Sequence, residues 1–272
     1  MRPVTAQAAP TALVPWLLGA IALLTLWRFA IAWLLPVTQD EAYYFDWARS
    51  LAWGYFDHPP GVALLGITSS LAQGSAFAAR LGTLLAGTLT LVVVAAFYHR
   101  CGLRSRADLF LALTLGIGNL AGLASGILTT PDAALALAWA VALHEALAAL
   151  QGDRRRWLSA GIATGLGLLG KYTMVLVGPV FLWAILWADP RALRTPWPYL
   201  GGLLALLIFA PHLQWNADND WVTMRFQFGH GFSADTGPLL DNRLPAPAGG
   251  AYAEERSAST MQPLERIGSM LE

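Results

Sequence analysis

The chain has 272 residues, of which 56% are hydrophobic and only 12% are charged, and its mean hydropathy is +0.50. A soluble domain carries about 25% charged residues, so this composition excludes an ordinary water-soluble globule. Equal numbers of acidic and basic residues give a formal net charge of zero, which gives no support to nucleic-acid binding, and the single cysteine excludes an intramolecular disulfide within this sequence.

Long apolar blocks, rather than amphipathic stripes, fill most of the chain up to residue 213. A helix needs about 20 apolar residues to cross the hydrocarbon core. As one helix, Trp157–Trp187 would be about 46 Å long, so we predict two short spans that meet at Gly170-Lys171-Tyr172. The pattern predicts about seven spans in all: Thr11–Leu35, Ser75–Tyr98, Ala107–Leu128, Pro131–Leu150, the two halves of Trp157–Trp187, and Trp197–Leu213.

Three arginine-rich loops predict the orientation of these spans. Cytoplasmic loops carry an excess of Lys and Arg, and here the arginines lie at residues 100–106, 154–156 and 191–194. The first loop, the tip at Lys171 and the chain after His212 are then predicted to face the outside of the plasma (inner) membrane.

The predicted fold is therefore all-α, a polytopic transmembrane helical bundle over residues 1–233. Its first outer loop, residues 36–74, is expected to carry a short helix that lies on the membrane surface. Residues 234–272 are rich in Pro, Gly, Ser and charge, which predicts a polar, disordered tail.

The first outer loop holds the densest group of polar and aromatic residues. Its segment Asp40–Trp53 predicts a short helix that Gly54 ends. Aromatic faces stack on sugars, and a neighbouring carboxylate can take a proton from a hydroxyl group, although the same rings would also anchor a helix at the membrane interface. One face of the helix combines these groups at i, i+3, i+4 and i+7: Asp40, Tyr43, Tyr44 and Trp47.

Two acidic residues fit helix starts. Thr38 and Glu41 have the spacing of a capping box, which favours a structural role for Glu41. In Thr130-Pro131-Asp132, the threonine caps, the proline takes the first helical position and the aspartate complements the helix dipole. Capping does not explain why Asp132 is predicted to emerge on the same side as Asp40.

Asp57 and His58 stand in a predicted turn that Pro59-Pro60 ends. A histidine beside an aspartate can shuttle protons, contact a phosphate or bind a metal, and a solvated turn explains the pair equally well. A metal site formed by Asp40, Asp57 and His58 has no diagnostic spacing. We therefore predict neither a metal nor another cofactor.

Three cations lie in apolar surroundings. Lys171 stands between two short spans, where it needs a carboxylate or a lipid phosphate as a partner. Arg80, early in the second span, fits the same role, and snorkelling is the alternative for both. Arg28 cannot be distinguished from a snorkelling side chain by sequence. A last polar and aromatic stretch, residues 212–230, is a candidate binding surface.

These segments resemble a known superfamily of membrane enzymes. The run Asp40-Glu41-Ala42-Tyr43-Tyr44 … Trp53-Gly54-Tyr55-Phe56-Asp57-His58-Pro59-Pro60 resembles the first periplasmic loop of the glycosyltransferase-C superfamily. The most similar branch groups protein mannosyltransferase-like, aminoarabinose transferase-like and galacturonosyl transferase-like proteins. Three further motifs match in the same order over about residues 37–233: Arg80-Leu81, Thr130-Pro131-Asp132 and Gly170-Lys171-Tyr172-Thr173.

The resemblance implies inverting transfer of a sugar from a polyprenyl-phosphate donor to a hydroxyl group of a cell-envelope glycolipid, glycan or protein. Membrane lipids would surround the chain, and no nucleic acid would take part. Family members have further spans, so the resemblance also implies a C-terminally shortened form. Asp40 matches the catalytic general base. The implied substrate-binding residues are Glu41, Tyr43, Tyr44, Asp57, His58, Arg80, Asp132 and Lys171, with Arg80 and Lys171 on the lipid phosphate.

Two other classes of protein share part of this pattern. A transporter or flippase would also have an intramembrane lysine and a broken helix pair, although the spans here show no paired halves. A membrane subunit without chemistry is the third interpretation. Donor-dependent sugar transfer separates the first class from the other two.

Overall fold

The computed structural model describes residues 13–72, 74–118 and 120–232. Within these residues there are helices and no strand, so the predicted all-α fold is confirmed. Short 3₁₀ turns cover Ile67–Leu71, Tyr172–Leu176 and Pro190–Arg194. The α-helices are α1 (Leu13–Leu34), α2 (Gln39–Trp47), α3 (Gly61–Gly66), α4 (Ala76–Arg100), α5 (Arg106–Gly118), α6 (Leu120–Ala124), α7 (Pro131–Leu150), α8 (Arg156–Gly170), α9 (Val177–Ala188), α10 (Trp197–Asp218) and α11 (Val222–Phe232).

Four of the described helices are long and apolar enough to cross a membrane: α1, α4, α7 and α10. Large apolar side chains such as Leu23, Leu85 and Leu207 are exposed on their surfaces, as expected of helices that face lipid. The predicted number of seven spans is not confirmed. The predicted span Ala107–Leu128 contains α5 and α6, which are separated by residue 119, outside the described ranges. The other two predicted segments form α8 and α9, whose 15 and 12 residues fall short of the usual length of about 20.

The chain reverses direction at Lys171, as predicted. Helix α8 ends at Gly170, and Lys171 is extended with φ −158° and ψ 139°. The ring of Trp157, at the start of α8, contacts Phe181 in α9 at a centroid distance of 5.4 Å. Because Arg154 donates to both carboxylate oxygens of Asp189 at 2.8 and 2.9 Å, the two far ends of the hairpin meet.

Contacts between helix ends divide the loops into two groups. At one end, Arg100 donates to the side chain of Gln151 at 3.3 Å, and Arg156 donates to Glu145 at 2.9 Å. This end carries the arginine loops that were predicted to be cytoplasmic. The opposite end, called the site end below, gathers the segments predicted to face outward, through the pairs Arg80–Glu41, Lys171–Asp132 and His212–Trp53.

Helices α8 and α10 approach each other closely through small residues. A Cβ atom on Gly161 would lie 2.1 Å from the carbonyl oxygen of Gly201, and one on Gly201 would lie 2.2 Å from that of Trp157. Such contacts between small residues are typical of membrane helices. The packing fixes α10 against α8 and so places the end of α10 beside Lys171.

Helix α7 begins at Pro131, as predicted, with Asp132 in its first turn. Thr130 occupies the cap position, but its side chain makes no capping hydrogen bond, so the predicted cap contact is wrong. The preceding residue, Thr129, is buried and bonds to the first outer loop instead.

Packing divides the chain into one unit, residues 1–224, and a second unit, residues 225–272. The residues discussed below belong to the first unit. The predicted tail, residues 234–272, lies outside the described residues, so the boundary at residue 233 stays a prediction.

Candidate active site

Helix α2 begins with the predicted capping box. The hydroxyl of Thr38 accepts from the backbone N–H of Glu41 at 3.3 Å, and the Glu41 carboxylate accepts from the backbone N–H of Thr38 at 3.1 Å. The helix ends at Trp47 rather than at the predicted Trp53. The carbonyl of Trp47 accepts from the backbone N–H of Ser50 at 3.0 Å, in a turn that closes the helix, and the hydroxyl of Tyr55 also lies 3.1 Å from it.

Glu41 forms a buried ion pair with Arg80. Both side chains are 0% exposed, and the guanidinium contacts both carboxylate oxygens at 2.7 and 2.6 Å. An arginine has five N–H donors, and all five are used here. The remaining donors bind three carbonyl oxygens at 2.7–2.8 Å, those of Ala32, Leu35 and Pro36.

This geometry changes the roles expected for both residues. Because no N–H group of Arg80 remains for a phosphate, the predicted phosphate contact does not fit the structure. Burial raises the pKa of Glu41, but hydrogen bonds from Arg80, Thr38 and Thr129 outweigh it, and the net pKa is lowered. Glu41 is thus a poor proton acceptor, and its side chain is closed off from solvent. The pair instead joins the end of α1, α2, α4 and the segment before α7.

Four aromatic side chains, three from α2 and one from the loop after it, pack together and are called the aromatic wall below: Tyr43, Tyr44, Trp47 and Tyr55. Trp47 lies 4.8 Å from Tyr43 and 5.1 Å from Tyr44, and it stacks on Tyr55 at 4.2 Å. Tyr44 and Trp47 are buried, whereas Asp40 is exposed. The predicted common face is therefore present, with its carboxylate at the open side of the wall.

Five predicted residues come together next to this wall and are called the outer cluster below. Lys171 donates to Asp132 at 2.8 Å, and both side chains are partly exposed. Burial raises the pKa of the Tyr44 hydroxyl, and three nearby carboxylate charges raise it further, those of Asp57, Asp40 and Asp132. The outer cluster comprises Asp40, Asp57, His58, Asp132 and Lys171, from three segments distant in sequence.

Burial sets the protonation of Asp57 and His58. It raises the pKa of Asp57 to about 6, against hydrogen bonds from its own backbone N–H and from Tyr43, and the charge of Asp40 adds to the rise. Burial lowers the pKa of His58 to about 4, and the charge of Lys171 lowers it further, while Asp132 opposes the shift. At neutral pH, His58 is thus uncharged and Lys171 is the cation of the cluster.

Replacing Asp57 by Asn should change how stability depends on pH. The folded-state pKa of about 6 lies above the ordinary 3.8, so the unfolded chain loses this proton first as pH rises. The titration of Asp57 alone should lower stability between about pH 4 and pH 6 by on the order of 1–3 kcal/mol, while the lowered pKa of His58 raises it over the same range. Asp57→Asn keeps only the second effect, so its stability relative to the wild type should increase from pH 4 to pH 6. Thermal unfolding in detergent from pH 4 to 8 measures this.

The matched control for that experiment is Asp46→Asn, which removes a carboxylate of α2 that is 60% exposed. It should keep the wild-type pH dependence. Identical pH profiles for wild type and Asp57→Asn would contradict the raised pKa of Asp57.

Residues near the end of α10 hydrogen-bond to the first outer loop and pack against it. His212 is 0% exposed, and its Nδ1 lies 2.6 Å from the carbonyl oxygen of Trp53, to which it donates. Its Nε2 then accepts, with the hydroxyl of Tyr172 at 2.5 Å and the amide of Asn216 at 2.9 Å. A Cβ atom on Gly54 would lie 2.2 Å from the ring of Trp215, so only glycine fits there.

This support was not predictable from the sequence. His212 and Asn216 belong to the stretch that was predicted to be a candidate binding surface, and both are fully buried. The tip of the loop is held in the same way, because Thr223 donates to the carbonyl of Tyr55 at 2.6 Å. No local spacing connects these residues with the first loop.

Within residues 13–72, 74–118 and 120–232, no group of three His, Cys, Asp or Glu residues is arranged to hold a metal ion. The expectation that no metal assists stays a prediction.

Comparison with known families decides the class of protein. The family model described as dolichyl-phosphate-mannose-protein mannosyltransferase matches residues 57–215, more than half of the chain. The chain belongs to this family. It is a family of the glycosyltransferase-C type, so the resemblance inferred from the motifs is confirmed. Comparisons with curated proteins and with solved structures give no match.

The matched segment contains most of the outer cluster. Asp57, His58, Asp132 and Lys171 lie within residues 57–215, whereas Asp40 precedes them. The family match therefore gives no evidence about Asp40, and a role for this residue is inferred from its position beside the aromatic wall.

Proposed function

We propose that this protein transfers a sugar from a polyprenyl-phosphate-linked donor to a hydroxyl group of a cell-envelope glycolipid, glycan or protein. The protein would lie in the inner membrane with the outer cluster facing the periplasm. The observation that carries the proposal is the outer cluster itself. It combines carboxylates, the only lysine of the sequence and an aromatic wall at one end of an apolar bundle.

Asp40 is the proposed general base. It is exposed in the first turn of α2, where an acceptor can reach it from the membrane surface. Asp40 would take the proton of the acceptor hydroxyl as the oxygen bonds to the anomeric carbon. The bond from that carbon to the phosphate oxygen breaks, and the polyprenyl phosphate leaves with the electron pair. A single displacement of this kind inverts the anomeric centre.

Lys171 is the proposed partner of the leaving phosphate. An ammonium group has three N–H donors, and the contact with Asp132 uses one of them. A cation placed where negative charge develops stabilises the transition state directly. Asp132 would hold the ammonium in place, while the partly exposed ring of Tyr43 presents apolar surface to the sugar and the buried ring of Tyr44 packs behind it.

Replacing Lys171 by Ala should weaken donor binding roughly 10- to 150-fold, the loss of one charge-assisted contact of about 1.5–3 kcal/mol. Lys171→Arg should retain part of the affinity because it keeps the charge. Titration with a polyprenyl-phosphate sugar measures the effect. Arg49→Ala is the control, since Arg49 is a cation of the first outer loop that lies outside the outer cluster, and its side chain is 82% exposed. Unchanged affinity in Lys171→Ala would mean that the lysine only snorkels.

The proposal is tested with purified protein in liposomes that contain polyprenyl-phosphate sugars. A transferase cleaves the donor and releases polyprenyl phosphate together with glycosylated acceptor. A flippase moves the intact donor between leaflets without cleavage, and a structural subunit does neither. Donor movement without cleavage, over a panel of sugars and acceptors, would refute the transferase proposal.

A further inference from the structure

Arg28 lies inside the bundle rather than snorkelling to its surface. The residue is 4% exposed, although it is the only charged residue of α1. Its Nη2 lies 3.4 Å from the carbonyl oxygen of Gly122, a long contact. Its Nε and Nη1 are buried and, in the part of the chain that the structure describes, have no hydrogen-bond partner. These two nitrogens carry three of the five N–H donors of the side chain.

Two glycines make the space for this guanidinium. A Cβ atom on Gly126 would lie 2.5 Å from Cζ of Arg28, and one on Gly87 would lie 3.0 Å from its Nη1. Gly87 belongs to α4 and Gly126 to the segment before α7. The buried position of Arg28 thus depends on small residues from two separate parts of the fold.

The guanidinium borders a cavity of about 120 Å³, and none of the described residues that line it is a carboxylate. At about 30 Å³ per water molecule, this volume equals about four waters and has room for a phosphate group. The lining shares no residue with the outer cluster. Besides Arg28 and small residues, it is formed by the apolar side chains of Leu91, Val94 and Leu113 and by the hydroxyl-bearing residues Thr90 and Ser125.

We propose that this cavity binds the phosphate group of a lipid, at a site separate from the outer cluster. A buried cation in a membrane needs a counter-charge, and the described residues supply none to Arg28. Guanidinium donors suit phosphate oxygens, and the apolar walls suit the attached hydrocarbon chain.

Depth in the membrane favours a lipid as the source of the phosphate. Arg28 precedes the end of α1 at Leu34 by a distance of about 9 Å along the helix axis. At that distance from the helix end, the headgroup phosphates at the membrane surface are the nearest source of counter-charge, since the described residues supply none to Arg28. The phosphate could belong to a phospholipid or to a polyprenyl phosphate, and the experiment separates these sources from free phosphate. The proposal does not depend on the transferase function.

The test uses the purified full chain in detergent and four ligands: dioleoyl phosphatidate, undecaprenyl phosphate, dioleoylglycerol and inorganic phosphate. Native mass spectrometry counts bound lipid, and thermal unfolding measures stabilisation. Both lipid phosphates should bind and stabilise the wild type, and the two controls should not. Arg28→Gln should weaken phosphatidate binding roughly 10- to 150-fold. Undecaprenyl phosphate should lose one of its two sites, since the outer cluster is also proposed to bind it. Arg49→Gln, the same substitution at an exposed site, should bind as the wild type does.

Two further variants keep the result interpretable. Lys171→Ala removes the cation of the outer cluster and should retain phosphatidate binding, which distinguishes the two sites. Gly126→Ala should displace the guanidinium and weaken binding while keeping every charge. Without lipid, Arg28→Gln should unfold at no lower temperature than the wild type, since it removes an uncompensated buried charge.

Three results would overturn the proposal. One is equal phosphatidate binding by the wild type and Arg28→Gln. Another is loss of phosphatidate binding in Lys171→Ala alone. The third is equal stabilisation by inorganic phosphate and by the lipids, which would assign the cavity to a free anion.

Discussion

Replacing Asp40 by Asn should lower sugar transfer by about 10²–10⁴-fold and leave donor binding nearly unchanged. The amide keeps the shape of the side chain and cannot accept the proton of the acceptor hydroxyl. Asp40 is exposed at the open side of the aromatic wall, so the substitution removes no buried contact. Steady-state rates and donor titration on the same samples separate the rate effect from binding.

Asp46→Asn is the matched control for this experiment, because it makes the same change on the same helix at a side chain that is 60% exposed. It should transfer sugar at the wild-type rate. A wild-type rate for Asp40→Asn would show that another group is the base, and Asp57, with its raised pKa, would be the first to examine.

Replacing Arg80 by Met should destabilise the fold by about 3–5 kcal/mol, because it leaves the buried carboxylate of Glu41 without its partner. The measurement is the free energy of unfolding in detergent, from denaturant titration. Arg49→Met should cost only about 0–1 kcal/mol, since the pair of Arg49 with Asp46 is long, at 3.8 Å, and exposed. The double variant Arg80→Met with Glu41→Gln should lose less than the sum of the single variants.

The same variants distinguish the structural role of Arg80 from the phosphate contact that the sequence suggested. If Arg80→Met kept wild-type stability and lost donor affinity, Arg80 would contact the phosphate after all. Loss of stability, with donor affinity retained in the folded fraction, is the result that the five internal hydrogen bonds predict.

Local signals in the sequence predicted the features that depend on local contacts. The start of α7 follows from Thr130-Pro131-Asp132, and the capping box of α2 follows from the spacing of Thr38 and Glu41. The helix break at Lys171 follows from the length of one apolar block. These local features determine which polar residues stand at helix ends, and these are the residues that meet at the site end.

Contacts between distant residues were not predictable in this way. Arg80 was assigned to a phosphate because its partners belong to α1 and α2, and nothing in the span itself indicates them. From the sequence, Arg28 could not be distinguished from a snorkelling residue, because the glycines that surround its guanidinium, Gly87 and Gly126, are distant in sequence. His212 supports Trp53 from 159 residues away, and no spacing rule connects the two.

The central claim, that the outer cluster binds a polyprenyl-phosphate sugar, can be measured at Lys171 directly. This residue is the only lysine of the sequence, so reductive methylation followed by mass spectrometry of its peptide reports on one side-chain amine. A saturating polyprenyl-phosphate sugar should slow methylation of Lys171 in the wild type and equally in Asp40→Asn, which is expected to bind the donor without turning it over. Dioleoylglycerol should give no protection. Methylation of Lys171 at the same rate with and without donor, over a panel of polyprenyl-phosphate sugars, would contradict the assignment of the outer cluster as the donor site.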